Sequence, residues 1–376
     1  MAKSSPGGRT TPLARRIWHA DWAEFFRGVY EYNVLRNFRT LPPRQAFVNV
    51  TYRCNARCEM CRIWEVPDRE EIALARFLTV IDDPILRAVE HLTLSGGEPL
   101  LRPDLGELTA AIMERLPRLS KLVLLTNGLL PRRCLSFVTA IAPACRARGI
   151  RLTVSVSMDG VGGVNDHLRG VPGAFAKASE TLRLLRDASS DLDLSLVTAS
   201  VLCKKTLPHV AEYQEWGRSL NVEAGFQLIG FHGTYVSNWA TKSELDFGAP
   251  ERGALFSLMK EQSRRRGLTD FKSYYWNDML HLYREGRPRR TPCPFSVDTI
   301  AVDALGDVYY CLSEPKIGNC FTGRTLSEIY LDKNNLALRE KRRSTCCPSC
   351  NSACLLSTGL KKDAKRYLWF LLTGRT

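Results

Sequence analysis

The sequence lacks any apolar run near the roughly 18 residues that a membrane span requires. Its first 16 residues are polar and rich in Pro and Gly, without the apolar core of a secretion signal. Both absences favour a cytoplasmic protein, whose 13 cysteines are expected to bind metal or stay reduced instead of forming disulfides. Acidic residues are also few, 39 against 53 Lys and Arg, which gives a net charge of +14.

The positive charge favours anionic partners. These are an acidic electron donor, a phosphorylated or nucleotide-linked substrate, nucleic acid, or a lipid surface. Nucleic acid is the least expected of them, because the sequence has no motif for its recognition. The 44% hydrophobic and 24% charged content is ordinary for a globular protein, and 376 residues suffice for one large domain or two.

Three cysteines at CxxxCxxC spacing, Cys54, Cys58 and Cys61, follow the alternating run 46–52. Thiolates this close can converge on one soft metal centre, and three of them leave one iron of a four-iron cluster open to a ligand. A strand followed by such a loop places the metal at the C-terminal edge of a parallel sheet, where α/β folds keep their chemistry. The alternatives are buried free thiols or structural zinc, which usually has four ligands, whereas the next cysteine is Cys134.

A second motif, Leu94-Ser-Gly-Gly-Glu-Pro99, ends the next strand-like run. With the two motifs in this order, residues 45–230 resemble the radical S-adenosylmethionine (SAM) superfamily. The resemblance implies that Cys54, Cys58 and Cys61 hold a [4Fe–4S] cluster whose open iron binds SAM. It also implies that SAM is cleaved reductively to a 5′-deoxyadenosyl radical, which takes a hydrogen atom from the substrate.

The resemblance further implies which residues bind SAM. Paired glycines let the backbone approach a ligand, so we expect a branched side chain at Gly97 to weaken SAM binding and leave the clusters in place. Glu98 is expected to accept a hydrogen bond from the SAM ammonium, and Arg169 to bind the SAM carboxylate. A plain β-turn for Asn127 and a solvated charge for Arg169 are the alternatives. The expected cofactor-binding residues are Gly96, Gly97, Glu98, Pro99, Asn127, Ser157, Asp159 and Arg169.

Strand-like and helix-like segments alternate through this region. Strands are predicted at 46–52, 91–95, 121–126, 151–158, 194–202 and 224–230, and helices at 71–82, 104–116, 133–148, 173–187 and 208–220. Such alternation predicts parallel βαβ units. The fold class is therefore predicted to be α/β, a partial (βα)6 TIM-like barrel followed by a small C-terminal iron–sulfur module.

That module, residues 291–356, has its own cysteine pattern. Segments 300–302 and 308–310 flank a turn, which predicts a hairpin bracketed by Cys293 and Cys311. Beside a radical SAM core the pattern resembles the SPASM/twitch extension and implies one auxiliary [4Fe–4S] cluster, with zinc as the alternative. Adjacent side chains diverge, and Cys347, unlike Cys346, makes CxxC spacing with Cys350, so Cys346 and Cys354 are left over. The expected auxiliary ligands are Cys293, Cys311, Cys347 and Cys350.

The other segments are distinguished by composition. Residues 1–44 are predicted to be a disordered tail (1–16) and a helix (17–38), 231–290 an aromatic bridge that is a candidate lining of the substrate pocket, and 357–376 a basic and apolar tail. Both terminal segments mix aromatic with basic residues, so peripheral membrane contact is an alternative to packing on the domain. Cys134, Cys145 and Cys203 are expected to be core residues.

These patterns predict an oxygen-sensitive radical SAM oxidoreductase that uses SAM, a SAM-binding cluster, an auxiliary cluster and an acidic electron donor such as flavodoxin or ferredoxin. Too few residues precede the barrel for a separate peptide-binding domain, so a small sugar- or aminocyclitol-like substrate is expected. A dehydrogenase would pass an electron to the auxiliary cluster, whereas an epimerase would use Cys320 or Cys354 as hydrogen donor. The alternatives are a SPASM-type peptide maturase and an iron–sulfur or zinc nucleic-acid-binding protein without SAM chemistry.

Overall fold

The computed structural model describes residues 22–65, 70–232, 236–265, 271–352 and 363–374, except for the side chains of 22–25. The predicted disorder of residues 1–16, and Cys354, lie outside the described residues. No helix in the described part of the chain is long and apolar enough to cross a membrane.

Six parallel strands form the centre of the fold. The apolar residues of the first four strands are mostly buried, as expected of strands that helices cover, whereas the last two are only partly buried. Each strand pairs in parallel with the next one along the chain. The strands are β1 (Gln45–Asn49), β2 (His91–Ser95), β3 (Lys121–Thr126), β4 (Arg151–Ser157), β5 (Leu194–Leu202) and β6 (Glu223–Leu228).

Helices connect these strands and cover the sheet. Their buried residues recur at helical spacing, as in Leu105, Leu108 and Ile112, and pack on the strands in one apolar core. The strands and helices predicted between residues 46 and 230 are confirmed, with ends shifted by at most three residues. The helix predicted at 17–38 ends earlier, at Asn33, and its predicted start lies outside the described residues. The described helices begin with α1 (Trp22–Asn33), α2 (Leu74–Ile81), α3 (Leu105–Arg115), α4 (Pro131–Ala147), α5 (Gly163–Arg169), α6 (Ala174–Asp187), α7 (Ser189–Leu192) and α8 (Val210–Ser219).

The second cysteine-rich segment continues the same sheet. Strand β7 (Thr299–Val302) pairs in parallel with β1, and β8 (Asp307–Tyr309) returns antiparallel to it, which confirms the predicted hairpin. With β9 (Gly318–Asn319) the strand order is β6-β5-β4-β3-β2-β1-β7-β8-β9. The sheet ends at β6 and β9, so the fold is a partial barrel with the small module attached along β1.

The remaining helices pack outside the barrel. They are α9 (Lys242–Leu245), α10 (Arg252–Arg265), α11 (Phe271–Glu285), α12 (Leu326–Tyr330), α13 (Lys333–Thr345) and α14 (Ala364–Thr373). Tyr274, Tyr275 and Trp276 of α11 are buried in a second apolar core with α10 and α14. The prediction that the aromatic residues of the bridge line the substrate pocket is therefore wrong for these three, because their rings instead hold the outer helices to one another. Tyr235, another aromatic of the bridge, lies outside the described residues.

Candidate active site

The three cysteines of the CxxxCxxC motif line one cavity. Cys54, Cys58 and Cys61 lie on the loop that follows β1, at the edge of the sheet where the parallel strands end. The cavity has a volume of about 360 Å³ and is also lined by residues that follow β2, β3 and β4. The sequence thus correctly predicted that the loops after successive strands converge here. Six of the expected cofactor-binding residues line this cavity: Gly96, Gly97, Asn127, Ser157, Asp159 and Arg169.

The two glycines of the second motif pack against the cysteine loop itself. A Cβ atom on Gly96 would lie 2.3 Å from the Thr51 carbonyl oxygen, and one on Gly97 would lie 2.2 Å from that of Arg53. The backbone N–H of Gly97 donates to Thr51 at 2.8 Å, and that of Glu98 donates to Arg53 at 2.8 Å. Glycine is needed at both positions so that the two backbone segments can pack in direct contact. From the sequence, these glycines were expected to allow the approach of SAM instead.

The carboxylate of Glu98 points away from the cavity. It is fully buried and accepts hydrogen bonds from the Asn127 N–H at 2.7 Å, the Thr126 hydroxyl at 2.9 Å and the Leu100 N–H at 3.2 Å. Burial raises its pKa to about 7 despite these donors. Glu98 thus ties β2 to β3 instead of facing the SAM ammonium as expected. Pro99 is also buried and does not line the cavity.

A buried ion pair lies beside the cysteine loop. Arg169 Nη2 is 2.6 Å from Asp159 Oδ2, and Arg169 Nη1 is 3.8 Å from Cys58 Sγ. Burial would lower the pKa of Arg169, but Asp159 and the Cys58 thiol raise it above its ordinary value. The buried Nε of Arg169 has no hydrogen-bond partner among the described residues. A fixed guanidinium that lines the cavity and keeps one N–H without a partner in the described residues fits an additional acceptor such as a ligand carboxylate.

The thiols of the loop fit a [4Fe–4S] cluster. Cys54 Sγ accepts from the Ala56 N–H at 3.4 Å and lies 3.9 Å from Asn127 Nδ2, and hydrogen bonds to sulfur are a usual feature of cluster ligands. Burial raises the pKa of all three thiols, that of Cys61 to about 12, so metal binding must displace their protons. Within the described residues, no three His, Cys, Asp or Glu side chains are grouped closely enough to hold a single metal ion.

The auxiliary cysteines also come together. A cavity of about 80 Å³ is lined by Cys293, Cys311, Cys346, Cys347 and Cys350. Burial and the neighbouring Cys293 raise the pKa of Cys311 to about 12 and that of Cys347 to about 11. Cys346 differs: it is exposed at the end of α13, and hydrogen bonds from Thr345 and Arg342 lower its pKa. Its exposure agrees with the expected ligand set without Cys346, whereas a lowered pKa by itself favours the thiolate that binds metal.

Arg289 holds the segment that carries the last two of these cysteines, a role that the sequence did not reveal. Its Nη1 donates to the Cys350 carbonyl at 3.2 Å and to the Ser352 carbonyl at 2.8 Å, and its backbone N–H donates to Pro348 at 2.8 Å. Burial would lower the pKa of Arg289, but the nearby thiols raise it. Arg289 therefore both positions the ligand segment and places a positive charge beside it.

The two cysteine sets share one cavity. Three of the four expected auxiliary ligands, Cys293, Cys311 and Cys350, line the same 360 Å³ cavity as the CxxxCxxC loop. Cys320 does not line it, because its backbone N–H bonds to Gly306 at 2.9 Å and its side chain packs against the main core. The hydrogen-donor role considered for Cys320 is therefore not supported by its position. Cys134, Cys145 and Cys203 are buried, which confirms their prediction as core residues.

His232 is a cavity residue that the sequence did not single out. It follows β6 and lines the same cavity as both cysteine sets, with Nε2 3.2 Å from the Ser313 hydroxyl of the auxiliary module. Its backbone N–H donates to Asn238 Oδ1 at 2.8 Å. Burial lowers its pKa, so the imidazole is neutral near pH 7. Among the described cavity residues, the titratable side chains are the thiols, the Asp159–Arg169 pair and His232.

Comparisons with known proteins agree with this arrangement. The family model described as the radical SAM superfamily matches residues 48–215. The antilisterial bacteriocin subtilosin biosynthesis protein AlbA of Bacillus subtilis is 23% identical over 288 residues, 74% of this chain and 58% of that protein. Fe-coproporphyrin III synthase of Methanosarcina barkeri is 34% identical over 219 residues, 58% of this chain and 51% of that protein. The chain thus spans little more than half the length of these curated relatives.

Among solved structures, Streptococcus suis SuiB bound to its precursor peptide SuiA has a TM-score of 0.59 at 14% identity. The match covers 95% of this chain and 80% of SuiB, so it includes the auxiliary module as well as the barrel. At this identity the likeness shows the fold alone. It agrees with the partial barrel and attached module described above.

We predict that Gly97→Ala disrupts the cysteine loop itself. The added methyl group would overlap the Arg53 carbonyl, so the free energy of unfolding should fall by about 2 kcal/mol or more. Reconstituted protein should also lose iron. Gly106→Ala is the matched control: it lies in α3 with open space at its Cβ, and it should stabilise the protein by about 1 kcal/mol. Thermal unfolding and iron content measure both effects; a stable, iron-replete Gly97→Ala protein with weak SAM binding would restore the cofactor-contact interpretation.

We predict that Cys293, Cys311, Cys347 and Cys350 each bind auxiliary iron. Single changes to Ala should lower the iron content of reconstituted protein from about eight towards about four per chain and leave basal SAM cleavage intact. Cys346→Ala is the neighbouring control and should retain full iron, because this thiol is exposed. Iron analysis with electron paramagnetic resonance of the reduced protein checks the set. If Cys346 proves necessary and Cys347 dispensable, the assignment is wrong.

Proposed function

We propose that this chain, whose residues 48–215 match the radical SAM superfamily model, is a radical SAM enzyme that oxidises a side chain of a peptide substrate. The observation that carries the proposal is the single cavity lined by both cysteine sets. A substrate held there lies between the site of hydrogen abstraction and the auxiliary centre. In this proposal residues 45–230 bind SAM and residues 291–356 form the auxiliary module.

The cofactors of this family provide the radical chemistry. When bound, SAM with its [4Fe–4S] cluster supplies a 5′-deoxyadenosyl radical, and an auxiliary cluster supplies an electron acceptor. Cys54, Cys58 and Cys61 would hold the first cluster, and Cys293, Cys311, Cys347 and Cys350 the second. The loss of two hydrogens from a substrate amounts to one hydrogen atom, one electron and one proton. The protein must therefore provide a proton acceptor.

His232 is the proton acceptor in this proposal. Its neutral imidazole lies in the cavity wall, and the Ser313 hydroxyl, 3.2 Å from Nε2, fixes the ring on the side of the auxiliary module. A neutral histidine with a free lone pair is a competent base near pH 7. The Asp159 carboxylate is less suited, because it is bound to Arg169 and accepts the Val201 N–H at 2.7 Å.

A peptide is the substrate class that the relatives favour. The similarity to the bacteriocin biosynthesis protein AlbA extends over 74% of the chain, and the solved structure of similar fold, SuiB, binds a precursor peptide. The small sugar-like substrate expected from the sequence depended on the few residues before the barrel, and the comparisons with AlbA and SuiB do not support it. The net charge of +14 suits an acidic electron donor and an acidic leader or core peptide.

The proposed function predicts SAM-dependent loss of hydrogen from a peptide. Precursor peptides encoded beside this gene, incubated with reconstituted protein, SAM and a reductant, should lose about 2 Da per modified residue, with 5′-deoxyadenosine as co-product. Replacing Cys54, Cys58 and Cys61 by Ala should abolish 5′-deoxyadenosine and remove about four irons. Mass spectrometry of the peptides, with aminocyclitols and sugars tested in parallel, decides the class. Oxidation of a small molecule and of no peptide would overturn the peptide proposal while leaving the radical SAM activity in place.

We predict that His232→Gln separates SAM cleavage from product formation. The glutamine keeps hydrogen-bonding capacity towards Ser313 but cannot accept a proton, so 5′-deoxyadenosine should form while oxidised product falls by about 100-fold or more. The readout is the ratio of the two products and the uptake of solvent deuterium into recovered substrate, which should rise. His209→Gln, on the exposed start of α8, is the control and should behave as the unmodified protein. If His232→Gln lost 5′-deoxyadenosine and oxidised product to the same extent, the role of His232 would be structural.

A further inference from the structure

The exposed apolar side chains of the protein are concentrated near its two ends. Within the described residues nine large apolar side chains are well exposed, and seven of them lie on α1 with the turn after it or on α14. In the first segment they recur every fourth residue, which places them along one face of the helix and its extension. The seven are Phe26, Tyr30, Val34, Phe38, Leu368, Trp369 and Leu372.

Both segments are held to the protein by other side chains. Tyr32 of α1 is 4% exposed and donates a hydrogen bond to Asp298 in the auxiliary module. Phe370 of α14 is 1% exposed, and its ring lies 5.1 Å from that of Tyr274 in α11. Each segment therefore buries one side against the protein and presents a second apolar side outward. Packing against the protein explains why the inner side of each segment is apolar, but it does not explain the apolar outer side.

A cleft rich in arginine lies where the two segments meet. The end of the first segment contributes Arg36, and the start of α14 contributes Arg366 with Asp363. The cleft has a volume of about 180 Å³, and its one lining carboxylate in the described residues, Asp363, faces a clear excess of cations. Arg36 is close enough to Arg343 for that charge to add to burial in lowering its pKa. The arginines that line the cleft are Arg36, Arg289, Arg290, Arg343 and Arg366.

We propose that α1 with its turn, α14 and this arginine cleft form a surface that binds an anionic phospholipid membrane. Exposed aromatic and leucine side chains enter the interface between headgroups and acyl chains, and neighbouring arginines bind lipid phosphates. A membrane satisfies both chemistries at once, which an acidic protein or a polar nucleic-acid backbone does not. The surface lies on a bilayer and does not span it. This inference does not depend on the identity of the substrate.

The apolar half of the surface is tested by vesicle binding of the full-length reconstituted protein. The variant carries Tyr30→Ser, Phe38→Ser, Trp369→Ser and Leu372→Ser, four residues 55–82% exposed. Its affinity for vesicles of phosphatidylglycerol and phosphatidylcholine should fall by about tenfold or more. The matched control is Trp239→Ser with Leu331→Ser, the other two well-exposed apolar residues, and it should bind as the unmodified protein does. Co-sedimentation measures binding, and circular dichroism with basal SAM cleavage confirms folding.

The arginine cleft predicts that the protein prefers anionic over neutral lipids. The unmodified protein should bind vesicles containing phosphatidylglycerol at least tenfold more tightly than pure phosphatidylcholine, and rising salt should remove the difference. Arg36→Gln, Arg290→Gln and Arg366→Gln together should remove most of the preference. The control carries the same charge change at exposed Arg132, Arg183 and Arg218 on α4, α6 and α8.

Apart from competition by nucleic acid, four outcomes would overturn the proposal. They are absence of binding to either vesicle, equal binding to charged and neutral vesicles, equal loss in the variants and their controls, and dissociation of a dimer by the serine changes. The last outcome, measured by light scattering, would assign the face to a second copy of the chain. Tight binding of a duplex oligonucleotide that competes with vesicles would assign the arginines to nucleic acid.

Discussion

The shape of the cysteine loop depends on hydrogen bonds from three distant parts of the chain. From one side the Gly97 N–H donates to Thr51. From a second, the backbone carbonyl of Arg169 accepts from the Arg57 N–H at 2.9 Å. From the third, Asn238 Nδ2 donates to the Met60 carbonyl at 3.0 Å. Since a loop of this length has few bonds of its own, these contacts fix where its thiols point. The barrel is thus needed to shape a metal site whose ligands all come from eight consecutive residues.

Strand β1 couples this loop to the auxiliary module. It pairs with β2 on one side and with β7 on the other, so the two cysteine-bearing segments are joined through one buried strand. The coupling continues past its end, where the Tyr52 hydroxyl donates to Asp303 Oδ2 at 2.6 Å. Because interiors are close-packed and resist shear, displacing the hairpin would also displace the cysteine loop. The shared cavity is therefore a rigid consequence of sheet extension, and does not require a hinge between two domains.

The sequence predicted those features that local pattern determines. Each barrel strand and crossover helix has its own periodicity, and the Gly306 turn between β7 and β8 has its own turn chemistry, so these elements were recognisable singly. Contacts between distant segments could not be read in this way. The burial of Glu98 under Asn127, the bonds of Arg289 to the Cys350 segment and the approach of His232 to Ser313 each join residues brought together only by the fold. Cavity residues that lie outside a motif are invisible for the same reason.

The terminal segments show why composition could not separate packing from surface contact. In α14, Tyr367 and Phe370 are buried while Leu368, Trp369 and Leu372 are exposed, so the apolar residues cover most of the circumference of the helix. Such a helix gives an apolar run without a clear polar side, and its sequence fits either role. The structure shows that the inner residues Tyr367 and Phe370 are both buried in the outer core. The outer residues expose apolar area beside a cleft whose arginines outnumber Asp363, its one carboxylate in the described residues. A partner that is both apolar and anionic, as a lipid headgroup layer is, would cover this apolar area and compensate these charges.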